Sequence, residues 1–147
     1  MNTMNLKLLF VMSLFSVFFS TMKAQSNPQR DVIQQCVAFK ELQDKIPNEV
    51  NQNMTEVLIL NENLNFLIGS DLSIDNKPAR LIAGQDVKDR KYNGHFVFRT
   101  IDIKGSDAIA DYSFIYQMNN VENSISVRLI LKNGMNKWEV VNSTIQK

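Results

Sequence analysis

From residue 95 onward the chain alternates. Residues from His95 to Ile103 alternate and are rich in aromatic and β-branched side chains, the period of a strand with one face on a core. The stretch from Ala108 to Met118 repeats the pattern, with Ala110, Tyr112, Phe114 and Tyr116 in phase. Ser124 to Lys132 follows with Ile125, Val127, Leu129 and Leu131, and Lys137 to Ile145 closes the series. Lys104-Gly105-Ser106 and Asn119-Asn120 supply turns, and Asn133-Gly134 is a hairpin signal. Four long strands with short links predict an antiparallel meander.

The period changes toward the amino end. Val32, Ile33, Cys36, Val37, Phe39 and Leu42 recur at helical spacing between Pro28 and Ile46. Asn27 caps the start, Pro28 takes the first helical position, and Pro47 marks the stop. After this amphipathic helix the pattern is mixed. Val50, Met54, Val57 and Leu58 suit a second helix, whereas Val57-Leu58-Ile59-Leu60 and Leu64-Asn65-Phe66-Leu67-Ile68 suit a strand pair, the favoured reading. Residues 69–78 read as loop, Ala79 to Ala83 as a short strand, and 84–94 as polar turns. The expected fold class is α+β, with the N-terminal amphipathic helix packed on a curved antiparallel β-meander.

The first 24 residues follow another logic. Lys7 precedes the apolar run from Leu8 to Phe19, and a short polar stretch ends in Ala24. This is the layout of a cleavable export signal, too short to span about 30 Å of hydrocarbon comfortably. Residues 1–24 are therefore expected to be a signal peptide and 25–147 a single domain, periplasmic or secreted, with no stable membrane anchor after cleavage. Cleavage removes Lys7 and Lys23 from a chain with 16 basic and 15 acidic residues, so the formal charge moves from +1 to −1. A near-neutral mixed surface gives no footprint for nucleic acid. A single cysteine, Cys36, excludes an internal disulfide and leaves the domain to be held by packing.

The helix, the meander and its ending Leu131-Lys132-Asn133-Gly134-Met135-Asn136-Lys137-Trp138-Glu139-Val140-Val141 resemble the NTF2-like group of cystatin-like α+β folds. The Ala24-Gln25 junction is similar to that of exported Bacteroidetes proteins, among which small domains with this layout are common. The resemblance implies a cone-shaped cavity between helix and sheet. It does not imply one activity, because this fold hosts enzymes, binders and assembly modules.

Candidate chemistry is sparse. One histidine and one cysteine, with no paired ligand motif, give no metal centre, and no cofactor is expected. Cys36 sits on the apolar helix stripe and reads as an inert core residue. Alternation places His95 with Val97, Arg99 and Ile101, where His95 and Arg99 would hold an anion at the cavity mouth. A surface histidine at a strand end is the simpler expectation. Tyr112, Tyr116 and Trp138, with Phe114, form either sheet core or the lining of an amphipathic pocket. The expected function is a non-catalytic binding or interaction domain, for a small ligand or a protein partner. The alternatives are a cavity-type enzyme pairing His95 with Asp111 or Asp102, and an inhibitor or interaction module acting through the outer sheet face. Alternation also leaves Ile109, Ile115, Ile130, Val141 and Ile145 opposite the aromatic set, which predicts a partner surface, most simply a twofold dimer.

Overall fold

A computed structural model describes residues 27–61, 73–74, 76–89 and 92–147. The proposed signal peptide and the strand expected at 64–68 lie outside the described residues. Helix α1 spans Pro28–Val37, α2 Lys40–Gln43 and α3 Asn48–Asn53. Strand β1 (Val57–Leu60) leads toward β2 (Ser73–Ile74) and β3 (Lys77–Ile82). Helix α4 (Gly84–Asp89) precedes β4 (Gly94–Lys104), β5 (Asp107–Met118), β6 (Val121–Gly134) and β7 (Lys137–Gln146). The strands form one mixed sheet in the order β2-β3-β1-β4-β5-β6-β7, so the domain is α+β. No helix among the described residues is long and apolar enough to cross a membrane.

Helix α1 begins where its cap dictates. The Asn27 side chain accepts from the backbone N–H groups of Gln29 and Arg30 at 3.1 and 3.3 Å. The single helix expected over 28–46 breaks at Ala38–Phe39, where Phe39 is extended. The reason is phase. A continuous helix would place Lys40 one turn beyond Cys36, on the buried stripe. The break turns Lys40 outward, where its ammonium pairs with Asp44 at 2.8 Å. Leu42 and Ile46 then reach the core. The Gln43 side chain donates to the freed Val37 carbonyl at 2.6 Å.

The stretch after Pro47 holds both a helix, α3, and a strand, β1. That strand pairs in parallel with β3 and with β4, so the sheet extends beyond the antiparallel meander. Two segments read as irregular are ordered: 73–74 and 77–78 belong to β2 and β3, and 84–89 form α4. The Ala83 N–H donates to Asp86 at 3.2 Å at the start of α4. Leu58, Leu60 and Ile82 pack with Val87, Tyr92 and Val97 in a small second core.

Two bulges set the faces of the meander. Phe98 pairs with Tyr112 and Thr100 with Asp111, which leaves Arg99 unpaired. Phe96 and Phe98 point to the helices before this bulge, and Ile101 and Ile103 join the same core after it. Ile101 therefore leaves the face of His95, and Asp102 joins it, the reverse of strict alternation. In β7, Ile130 pairs with Asn142 and Leu131 with Val140, so Val141 is the extra residue. Ile145 consequently packs on the main core and not on the outer face. Each bulge trades one unpaired residue for burial of the apolar side chains beyond it.

The last hairpin turns later than Asn133-Gly134. Asn133 donates its N–H to Ser106 at 2.8 Å and pairs with Trp138, which holds it in the strand. The turn falls on Met135 and Asn136, with φ of 54° and 64°, as a type I′ turn requires. A left-handed methionine is strained, and its side chain is fully exposed. Met135→Asn is therefore expected to stabilise the protein by roughly 0.5–1 kcal/mol, measured as a higher urea midpoint.

Candidate functional site

The helix-facing side of the sheet is packed. Tyr112 and Phe114 are fully buried, and Tyr116 and Trp138 are 3% exposed. Phe98 stacks on Tyr112 and Phe114 on Tyr116, with centroids 5.1 and 5.8 Å apart. The Tyr112 hydroxyl donates to the Cys36 carbonyl at 2.6 Å, tying β5 to α1. Burial pushes both the Tyr112 phenol and the Cys36 thiol far above their ordinary pKa values. Neither ionises near neutral pH, and Cys36 is no nucleophile.

The other two singled-out residues, His95 and Arg99, lie on the opposite face. The five residues named from the sequence thus divide across the sheet: three toward α1–α3, two away from them. His95 pairs with Ile115 and Asp111 with Thr100. Ile115 lies four positions beyond Asp111 along β5, about 13 Å of strand. The register therefore does not set Asp111 opposite His95. Asp102 is on the outer face too, but its carboxylate is bound by Lys104 at 2.8 Å.

His95 is not the exposed strand-end residue expected. It is 7% exposed, and desolvation lowers its pKa below the ordinary 6.5, partly offset by Glu122. At neutral pH it is therefore uncharged, and Arg99 is the cation of the two. The unfolded chain takes up this proton before the folded one, so the contribution of neutral His95 is complete above 6.5 and is lost as pH falls below it. The urea midpoint is expected to drop between pH 7.5 and 5.5, and His95→Gln should lessen that drop.

What the outer face does assemble is a polar band across four strands. One row runs from Arg99 at its bulge through Ser113 and Ser126 to Gln146, and the next from Thr100 through Asp111 and Arg128 to Thr144. Arg99 Nη1 donates to Ser113 Oγ at 3.0 Å, and that hydroxyl lies 3.1 Å from Ser126 Oγ. Thr100 donates to Asp111 at 3.2 Å, and Arg128 stands 3.7 Å from the same carboxylate. A depression of about 220 Å³ opens between the two arginines, lined also by Asp111, Ser126, Thr144 and Gln146. Half-buried Ile109 and Ile130 pair beyond one row, and Ile115 lies beyond the other.

Of these residues, sequence reading singled out Arg99 and Asp111. Alternation already placed Ser126 and Arg128 outward. Their joining Arg99 depends on the register of two strand pairs, which no local pattern contains. Guanidinium and hydroxyl donors in one depression suit an oxyanion. Among the described residues, no three His, Cys, Asp or Glu side chains come together as metal ligands would. No family model, curated protein or solved structure matches this chain.

Proposed function

We propose that this chain is an exported, non-catalytic binding or interaction domain that works through the outer face of its sheet, on a roll of the NTF2-like kind. One observation carries the reading. The aromatic side chains that would line a helix–sheet cavity are closed on one another, whereas the outer face carries a polar band bounded by half-buried isoleucines. Buried aromatics packed ring on ring leave a ligand little surface to touch. An ordered polar band beside half-buried apolar residues offers a partner both hydrogen bonds and apolar contact. The leading helix against the meander and the buried closing Trp138 support the roll. The apolar run before Ala24 supports export. A second copy of the chain is one partner this face fits.

The test is native mass spectrometry of the protein isolated from its source. A retained ligand, partner or second copy that is lost in the Ile109→Asp, Ile130→Asp double variant supports the reading. A bare monomer at high micromolar concentration, or a retained mass indifferent to the double variant, refutes it.

A further inference from the structure

The depression between Arg99 and Arg128 has the makings of a defined chemical site. The bulge in β4 leaves Arg99 and Thr100 side by side on the outer face, the kind of re-aiming that bulges produce. Arg99 is then held by Ser113, itself 6% exposed and backed by Ser126. This bond occupies one of the five N–H donors of a guanidinium. Arg128 stands on β6, two strands and about 10 Å away, and lines the same depression. Its 3.7 Å distance to Asp111 is an ion pair without the contact of a charge-assisted hydrogen bond, about 2.7–2.9 Å. The Asp111 carboxylate is meanwhile engaged by Thr100.

Charge selects the ligand. Two guanidinium groups and one carboxylate leave the site one positive charge in excess. A single carboxylate neutralises it. A dianionic phosphate overshoots and faces Asp111, and an amine is repelled. The fork of donors on each arginine matches the two oxygens of a carboxylate. The Ile109–Ile130 pair at the margin offers a short apolar chain a place to lie. We propose that this depression binds a monocarboxylate carrying an apolar chain, with Arg99 and Arg128 as its two anchors. The proposal deepens the outer-face reading above and rests on it.

The probe is hexanoate, followed by two-dimensional amide NMR of the intact chain at constant ionic strength, with hexyl phosphate and hexanol in parallel. Hexanoate should give saturable shifts at Arg99, Ser126, Arg128 and Thr144. Arg99→Gln and Arg128→Gln should each weaken binding about tenfold or more, equivalent to about 1.4 kcal/mol. Arg99→Lys and Arg128→Lys keep the charge, lose the fork and should also weaken it. They carry the test if a glutamine variant fails to fold. Hexanol should give no saturable shift and hexyl phosphate a weaker one. The proposal is overturned by any of three results: no saturable shift with hexanoate, hexanoate affinity unchanged by the arginine substitutions, or hexyl phosphate binding more tightly. A retained partner seen by native mass spectrometry alongside any of these would leave the outer-face reading standing and remove the carboxylate site alone.

Discussion

Trp138→Ala is expected to lower the unfolding free energy by about 3–5 kcal/mol, the usual cost of deleting a large buried aromatic. Trp138 is 3% exposed and belongs to the main core shared by α1 and the meander. It pairs with Asn133 at the start of β7, next to the closing turn. Its loss therefore opens a cavity at the end of β7, an edge strand among the described residues. Urea unfolding followed by far-ultraviolet circular dichroism measures the effect. A midpoint equal to that of the parent would show that the indole contributes no packing.

Gly94→Ala should cost about 1–3 kcal/mol by overpacking, although alanine is the smallest change available. A Cβ at Gly94 would lie 2.4 Å from Phe114 Cζ. That ring cannot simply swing aside. Phe114 is fully buried, with Phe96 at 4.9 Å and Tyr116 at 5.8 Å between centroids. Glycine is required here for close approach and not for its backbone angle. Gly94→Val should be worse than Gly94→Ala, and Phe114→Leu should recover part of the loss in a double-mutant cycle. Additive losses in that cycle would mean that the two positions do not compete for the same space.

Gly94 also shows the limit of local reading. In the sequence it is a turn glycine before a strand. Its contact with Phe114 exists because β4 and β5 pair Gly94 with Tyr116 and Phe96 with Phe114. The same division runs through the domain. Hydrophobic period, with the Asn27-Pro28 start and the turn signals, determined that a helix starts at Pro28, that the carboxyl-terminal half is a four-strand meander, and that Tyr112, Phe114 and Tyr116 share a face. These follow from side-chain spacing within one element, which each segment carries with it. Tertiary structure decided the rest. The break at Ala38–Phe39 answers to where Lys40 must go relative to the sheet. The parallel pairing of β1 with β3 and β4 joins segments far apart in the chain. The bulges at Arg99 and Val141 exist because Ile101, Ile103 and Ile145 gain burial only against residues from other strands. Those bulges reverse the facing of everything beyond them on their own strands, and so set Thr100 and Thr144 beside Arg99, Asp111, Ser126 and Arg128, which alternation already placed outward. A period is a property of neighbours in sequence. A site is a property of register, and register is set by whichever pairing buries the most apolar surface across the whole sheet.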